Sequence, residues 1–323
     1  QKKFEITTLR KDVSTDGRHA NVQFTLDWEQ DASRRDFTIN AIYADIDGRI
    51  FDPLNGISDL RNGIIKFIGS NEKRIQEDYL RILRYFRFFT QYSKINHDQD
   101  TISAIKKNIN GLNNISNERI FDELKKILSL KNAYNLFLNS QSKEIILDIF
   151  PQFKFNDRLK NFGALNQKLK NRYDYKLILA LLVIDQTDNY EFFCYKYKVS
   201  NNIKEKFLKI SKNFSNLKNE DFFSEKNIRK LIYFEGKDAA SDVLLFSGCA
   251  NINIRDLNLL KLLNFINVCK IPEFPISGND LKKHGYKSGK ELGKKLKLLE
   301  KKWIENNFVI DKKLIEKSLN KIN

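Results

Sequence analysis

The stretch EDYLRILRYFRF, residues 77–88, places one carboxylate and three guanidinium groups at intervals of three residues: Asp78, Arg81, Arg84 and Arg87. An ionised carboxylate only accepts hydrogen bonds, whereas a guanidinium only donates them. Cytosine and adenine each present an exocyclic amine beside a ring nitrogen that accepts, and uracil and guanine present the reverse pattern. A paired Asp and Arg would therefore accept C and A and reject U and G, because mispaired groups in a closed pocket stay unsatisfied.

The helical periodicity of the same stretch separates two faces. On a helix the three arginines fall within an arc of about 120°, and Ile82, Leu83, Phe86 and Phe89 occupy the opposite arc, which must pack. Lysine would serve a solvated face equally well, so three arginines and no lysine favour planar, bidentate recognition. From the residues alone, a solvated charged face remains the alternative.

A second candidate is RRDFTINA, residues 34–41. If this segment is a strand, Arg34 and Arg35 point to opposite faces, and Asp36 shares the face of Arg34. One arginine would then point into a site and the other away from it. A cluster of surface salt bridges is the alternative interpretation.

The net charge of +16 makes polyanions the first partners to consider. The charge is uneven: residues 1–91 hold 15 Lys and Arg against 14 Asp and Glu, and the remaining residues carry the rest of the excess. A surface that neutralises many phosphates needs this excess and needs no base-specific contact. An AT-rich genome, which favours Lys, Asn and Ile, is the alternative explanation.

The three cysteines, Cys194, Cys249 and Cys269, stand far apart, which predicts neither a metal site nor a disulfide framework. Their scarcity is typical of the reducing cytosol, so we expect a cytoplasmic protein. The longest apolar run, residues 177–184, is too short to span a membrane, which takes about 20 residues.

The coarse pattern of elements predicts an α/β segment followed by helices. Phe4–Arg10 alternates like a strand, residues 11–23 read as a polar loop, and residues 37–56 read as a hairpin turning at Asp47-Gly48. After about Gly69 the apolar spacing is helical.

Two later stretches carry smaller predictions. Asn279 or Asp280 can cap a short helix near the C-terminal end. The aromatic residues of EFFCYKYK, 191–198, could stack on bases, but on a helix such residues more often belong to the core.

Several of these motifs, in this order, resemble the class II tRNA nucleotidyltransferases and bacterial poly(A) polymerases. Residues 31–69 and 77–88 carry the strongest resemblance. Residues 4–24 resemble the strand and mobile loop that precede the family's RRD motif, residues 117–128 its neck helix, and residues 275–303 a tail motif common in CCA-adding members.

The resemblance implies an α+β fold with a partial, polymerase-β-like nucleotidyltransferase head followed by helices only. We expect a head domain at residues 1–70 and a neck that recognises the nucleotide base at 71–130. A helical body at 131–245 and a helical tail at 246–323 would bind RNA.

The resemblance also implies roles for individual residues. Arg35 would bind the triphosphate, Asp78 and Arg81 would read the incoming base, and Arg84 and Arg87 would complete the nucleotide pocket. The implied reaction adds CCA to tRNA 3′ ends from CTP and ATP. The implied partner is the tRNA acceptor arm, with no membrane and no protein partner.

The chain departs from the family pattern in its metal site. The family holds Mg²⁺ on a DxD segment that we expect upstream of residue 1, so this chain alone is expected to lack nucleotide transfer. Asp45 and Asp47 make a poor substitute because Asp47 lies in the predicted turn, and Glu5 is at most an accessory carboxylate.

Three other functions remain open from the sequence. One is a poly(A) polymerase that uses ATP alone on RNA ends, and another is an enzyme that adds only CC or only A. The third is a non-catalytic module that binds RNA.

Overall fold

The computed structural model describes residues 7–16, 19–218, 220–250 and 256–309. Contacts group the chain into two compact units. Unit 1 comprises residues 1–207 with 249–251, and unit 2 comprises residues 208–248 with 252–323. In the described part of the chain, no helix is both long and apolar enough to cross a membrane.

Two antiparallel hairpins make up the strands of the described residues. The first pairs β1 (Arg10–Asp16) with β2 (His19–Phe24), and the second pairs β3 (Tyr43–Ala44) with β4 (Ile50–Phe51). The second hairpin confirms the predicted one, although its strands are only two residues long. Its turn is fastened by the carboxylate of Asp45, which accepts hydrogen bonds from two backbone amides.

The first hairpin differs from the sequence prediction. Residues 11–23, read as a loop, form most of it, and the strand begins at Arg10 instead of ending there. Residues 1–6, which include Glu5 and the first three of the seven residues in the predicted strand, lie outside the described residues. The prediction of a loop rests on polarity, but strands pair through backbone hydrogen bonds, which every residue except proline can both donate and accept.

The remaining regular structure is helical. The helices of unit 1 and of the boundary are α1 (Trp28–Ser33), α2 (Gly56–Asn62), α3 (Asn71–Glu77), α4 (Arg81–Tyr92), α5 (Gln99–Asn108), α6 (Asn117–Leu128), α7 (Asn135–Leu138), α8 (Ser140–Ile149), α9 (Arg158–Ala164), α10 (Gln167–Lys170), α11 (Tyr175–Val183), α12 (Asn189–Lys196) and α13 (Asn201–Asn213). They are followed by α14 (Glu225–Glu235), α15 (Lys237–Cys249), α16 (Asp256–Val268), α17 (Gly278–Lys283) and α18 (Lys290–Glu305).

Helix α4 has the two faces that its sequence predicts. Ile82, Leu83 and Phe86 are fully buried, and Phe89 stacks on the ring of His97 at a centroid distance of 3.6 Å. Tyr85 joins this buried face, which packs against a pair of aromatic rings from earlier in the chain. Those rings belong to Phe37 and Phe67, whose centroids are 4.7 Å apart.

The segment RRD is not on a strand, so the predicted alternation of its side chains is wrong. The side chain of Asp27 caps the start of α1, which runs to Ser33, and Arg34 continues with helical dihedral angles as its C-cap residue. Phe37 forms only an isolated bridge with Phe67, and a 3₁₀ helix follows at once. Asp31 lies three and four residues before the two arginines, the spacing at which helical side chains meet.

The aromatic stretch EFFCYKYK, most of which lies in α12, has two buried rings and two exposed rings. Phe193 and Tyr197 are buried in the core, as the commoner interpretation predicts. Phe192 is 54% exposed and Tyr195 is 82% exposed. The core interpretation therefore holds for half of the four rings.

Unit 2 contains its own aromatic cluster around Trp303. The Trp303 ring lies 5.6 Å from that of Tyr233 and 5.3 Å from that of Phe274. Helix α17 is capped by Ser277, whose hydroxyl accepts from the backbone of Asp280 while the Asp280 carboxylate accepts from the backbone of Ser277. Asp280 was predicted as a cap itself, and it acts as the third residue of a reciprocal capping box.

Candidate functional site

A pocket of about 430 Å³ opens in unit 1 between the end of α1, the start of α4 and the start of α6. Five arginines and two aspartates give its wall a net positive charge. The residues that line it are Arg34, Arg35, Asp36, Asn40, Asp78, Leu80, Arg81, Arg84, Phe88 and Arg119. Four predicted site residues thus come together here from segments far apart in the sequence.

The two arginines of RRD share one buried carboxylate. Asp31 is 1% exposed, and each of its oxygens takes a different guanidinium: Arg34 binds Oδ1, and Arg35 Nη2 binds Oδ2 at 3.0 Å. The hydroxyl of Tyr43 donates to Oδ2 at 2.8 Å, and the backbone N–H of Arg10 donates to Oδ1 at 3.2 Å. Four partners hold the carboxylate in place.

Burial alone would raise the pKa of Asp31. The hydrogen bonds from Arg34, Tyr43, Arg10 and Arg35 outweigh burial and lower the pKa to about 2. Burial tends to lower the pKa of Arg35, but its hydrogen bond to Asp31 and the nearby Tyr43 raise the pKa above its ordinary value. Both charges are therefore permanent, and Arg35 faces the pocket as a fixed cation.

Asp36 connects the same segment to α4. Its carboxylate accepts from Arg84 Nε and, at 2.8 Å, from Asn40 Nδ2. Asp36 is 7% exposed; burial raises its pKa, but the charge and hydrogen bond of Arg84 dominate and hold the pKa below its ordinary value. Because the described bond uses Nε of Arg84, the Nη donors of this pocket-lining arginine can serve a ligand.

The helical interpretation of residues 77–88 placed Asp78 on one helix with the arginines, but Asp78 does not belong to α4. It is the extended C-cap residue of α3, and α4 begins three residues later at Arg81. The Asp78 carboxylate accepts from the backbone N–H of Leu80 at 3.1 Å and from Arg119 Nη2 at 2.8 Å. A carboxylate has about four acceptor positions, so two remain for a ligand.

Arg81 is fixed by a different carboxylate. Its Nη1 donates to Glu77 and, at 2.8 Å, to the backbone carbonyl of Arg74. Both described bonds use Nη1, which leaves the donors on Nε and Nη2 for the pocket. Asp78 and Arg81 thus share the pocket wall as neighbours, each oriented by its own partner.

Arg87 lies outside the pocket lining. It pairs with Glu123 of α6, a carboxylate only 2% exposed, and its guanidinium lies 4.4 Å from the centroid of the Phe88 ring. Lys126 also reaches Glu123, at 3.1 Å. This geometry gives Arg87 the role of joining α4 to α6.

Sequence reasoning missed Asp31, Glu77, Phe88 and Arg119. For Arg119 a usable signal existed, because it is the one arginine of a helix, α6, whose other cations are Lys125 and Lys126. The same preference for arginine at planar contacts that singled out α4 applies there. Asp31 carried no signal, since only the helical spacing of α1 brings it to both arginines.

The described residues do not fit a metal centre. None of their His, Cys, Asp and Glu side chains form a group of three or more that could hold an ion. The resemblance to a Mg²⁺-dependent family is therefore not matched by a ligand set in this part of the chain, and no chemical step is assigned to a metal here.

Three family models match the chain. Residues 1–66 match the poly A polymerase head domain, residues 96–155 match the probable RNA and SrmB-binding site of polymerase A, and residues 169–319 match the putative domain 2 of tRNA nucleotidyltransferase. The three matches follow one another along the chain without overlap.

Two curated relatives are similar over nearly the whole chain. The mitochondrial CCA tRNA nucleotidyltransferase 1 of Mus musculus is 36% identical over 327 residues, which cover 97% of this chain and 71% of that protein. The CCA-adding enzyme of Lactobacillus helveticus is 31% identical over 331 residues, which cover 98% of this chain and 78% of that protein.

Solved structures share the fold. The CCA-adding enzyme of Bacillus stearothermophilus in complex with CTP aligns with a TM-score of 0.68 and 23% identity, covering 93% of this chain and 74% of that one. The Thermotoga maritima CCA-adding enzyme complexed with tRNA_CCA aligns with a TM-score of 0.64 and 20% identity, covering 90% and 73%. At these identities the likeness concerns the fold alone.

Proposed function

Because this chain belongs to the CCA tRNA nucleotidyltransferase (CCA-adding enzyme) family, we propose that it selects CTP and ATP and holds tRNA for the addition of CCA to the tRNA 3′ end. The transferred group is a nucleotide, and the nucleophile is the 3′ hydroxyl of the RNA. The observation that carries the proposal is the convergence of Asp78 and Arg81 on one arginine-rich pocket.

Asp78 and Arg81 can act together as a protein template for the base. The free acceptor positions of Asp78 suit the exocyclic amine of cytosine or adenine, and the free donors of Arg81 suit the adjacent ring nitrogen. Uracil would place a carbonyl oxygen against the carboxylate, which repels it. Leu80 and Phe88 give the same pocket an apolar part of its wall.

Arg34, Arg35 and Arg84 supply the positive charge for the triphosphate. Guanidinium groups bind phosphate oxygens in a planar, often bidentate geometry. Asp31 and Asp36 hold these arginines before any nucleotide arrives, so that binding does not have to order them. Arg87 supports the pocket by holding α4 on α6.

We also propose Mg²⁺ as the cofactor of the transfer, on ligands outside the described residues. Such an ion would supply electrostatic stabilisation of charge on the reacting oxygens, and none of the described residues is assigned to hold it.

Helix α18 offers a phosphate-binding surface in unit 2. Lys290, Lys294, Lys297 and Lys301 are all exposed and lie within an arc of about 60° over about 16 Å of helix. Among the described ion pairs, only Lys301 of the four has a partner, Glu305 at 4.0 Å. We call these four residues the α18 lysine stripe and propose that it contacts the tRNA backbone.

The four-domain division and the cytoplasmic location remain proposals. The division into head, neck, body and tail rests on the resemblance. The location rests on the scarce cysteines, and the Mus musculus relative is named as mitochondrial.

Equilibrium binding tests the template directly. Titration with CTP, ATP, UTP and GTP should give tighter binding of CTP and ATP. Asp78→Ala and Arg81→Ala should each lose about 1–3 kcal/mol of discrimination, the value of a good bidentate base contact. Asp122→Ala, which breaks an exposed ion pair on α6, is the control and should leave the selectivity unchanged.

A poly(A) polymerase would bind ATP in preference to CTP, so the same titration separates the two enzymes. Equal binding of all four nucleotides, or unchanged selectivity in both pocket variants, would contradict the proposal and leave the arginines of α4 as a charged helix face.

A further inference from the structure

Gly111 lies directly beneath the ring of Tyr79. A Cβ atom at residue 111 would come within 2.1 Å of both Cδ1 and Cε1 of that ring, far inside an ordinary contact of at least 3.4 Å. Gly111 belongs to the 3₁₀ helix Ile109–Asn114, and its φ is not among the positive values. The requirement for glycine at this position is therefore one of space and not of backbone conformation.

Tyr79 stands in the middle of the turn that presents the base-reading residues. It is flanked by Asp78 and Leu80, both in the pocket wall, and its backbone carbonyl accepts from the N–H of Ile82 in the first turn of α4. Only residues 78–80 separate α3 from α4. A shift of the Tyr79 ring would therefore move this short connection as a whole.

The chain after α5 touches that turn at two points. Gly111 meets the ring of Tyr79, and Arg119, eight residues later, donates to the carboxylate of Asp78. One contact is steric and the other electrostatic. The contact with Gly111 fixes the position of the Tyr79 ring, and the bond from Arg119 fixes the direction of the Asp78 carboxylate.

We propose that Gly111 is a positioning residue for base selection: by admitting the ring of Tyr79, it sets where Asp78 and Arg81 stand in the pocket. Gly111 does not line the pocket and acts through Tyr79 alone. This inference rests on the proposed function, since it concerns the same pocket. Hydrogen bonds weaken steeply away from their preferred distance and angle, so a displacement of about 1 Å should weaken the readout of the base.

Gly111→Ala tests this placement. The added methyl group must displace the ring by about 1 Å. We expect the preference for CTP over UTP, measured as the ratio of their dissociation constants, to fall about tenfold. A purely structural role would lower stability and leave that ratio unchanged.

Tyr79→Ala supplies the second arm of a double-mutant cycle. Without the ring there is nothing for the methyl group to displace, so Gly111→Ala should change the selectivity of the Tyr79→Ala protein by less than about twofold. If Gly111→Ala alone fails to fold, the double variant should recover both folding and the selectivity of Tyr79→Ala.

The chain offers a matched control at Gly163. A Cβ there would lie 2.9 Å from the Tyr134 ring, a milder contact of the same kind in the same unit and away from the pocket. Gly163→Ala should leave the CTP-to-UTP ratio unchanged.

The outcomes separate the two proposals. A wild-type chain that does not discriminate CTP from UTP overturns the proposed function and this inference together. A wild-type chain that discriminates, with Gly111→Ala equally selective, overturns the inference alone. Equal losses from Gly111→Ala with and without the Tyr79 ring would also overturn it.

Discussion

Arg119 donates a 2.8 Å hydrogen bond to Asp78, which precedes it by 41 residues. The bond connects the start of α6 to the turn that carries the predicted base reader. It fixes the direction of the carboxylate, and the remaining lone pairs of Asp78 stay available. Arg119 also lines the pocket, so the same guanidinium contributes to its positive charge.

Loss of this bond should weaken binding of the matching nucleotides. Arg119→Ala frees the Asp78 carboxylate to rotate, and we expect CTP and ATP to bind about tenfold more weakly, the value of one charge-assisted hydrogen bond in a partly exposed site. Arg119→Lys keeps the charge but not the planar fork, so its affinity should lie between those of wild type and alanine. Isothermal titration with each nucleotide measures the effect.

The control for that series is Lys125→Ala, which removes another cation of α6 from an exposed pair with Asp122. It should leave both affinities unchanged. If it weakened CTP binding as much as Arg119→Ala, the effect would be one of net charge and not of the Asp78 contact.

The buried pair Arg87–Glu123 should matter for stability and not for selectivity. Arg87→Met leaves the carboxylate of Glu123, which is 2% exposed, with Lys126 as its remaining described partner. Breaking such a pair costs about 3–5 kcal/mol when no partner remains, and Lys126 should reduce that cost. Urea unfolding measures the loss of stability.

Nucleotide titration completes the test of Arg87. The folded Arg87→Met protein should keep the CTP-to-UTP ratio of wild type, because Arg87 is not in the pocket wall. A changed ratio would restore Arg87 to the nucleotide site that the sequence assigned to it.

Acid should destabilise unit 1 through His97. This side chain is buried between the hydroxyl groups of Tyr85 and Ser142, at 2.9 and 2.6 Å. Burial lowers the pKa of His97 from 6.5 to about 4. The unfolded chain therefore takes up the proton first, and stability that is complete above pH 6.5 falls by about 3 kcal/mol as the pH drops to about 4.

His97→Gln removes this titration. Its unfolding free energy in urea should depend less on pH between 6.5 and 4 than that of wild type, with hydrogen exchange of peptides spanning α4 as the probe of unit 1. His284→Gln, in unit 2, is the control and should leave the hydrogen exchange of the α4 peptides as in wild type. Parallel slopes for wild type and His97→Gln would assign the acid sensitivity to other groups.

The sequence predicted features that depend on local periodicity. The two faces of α4 follow from its 3.6-residue repeat, and the hairpin at residues 43–51 follows from its Asp-Gly turn. The polarity of hydrogen bonding in Asp and Arg was enough to expect a pocket that distinguishes bases. Four of the five predicted residues line one pocket.

The sequence could not show which partner holds each charge. Arg84 pairs with Asp36, 48 residues away, and Arg119 with Asp78, 41 residues away, and no local pattern encodes these distances. The prediction that RRD lies on a strand is wrong. The chain forms a helical turn there instead, and this turn lets the buried carboxylate of Asp31 bind the guanidinium groups of both Arg34 and Arg35.

The α18 lysine stripe should control the salt dependence of tRNA binding. Each phosphate contact releases condensed counterions, so the logarithm of the binding constant falls with the logarithm of the salt concentration by about 0.7–0.9 per contact. Replacing Lys290, Lys294 and Lys297 with alanine should flatten that slope by about 2. Fluorescence anisotropy of labelled tRNA between about 50 and 200 mM salt gives both slopes. The matched control replaces Lys66, Lys73 and Lys94, three exposed lysines outside residues 96–155, the match to the probable RNA-binding site, and should barely change the slope. If the control flattened the slope as much as the stripe variant did, tRNA binding would depend on total charge, and the stripe would have no special part in it.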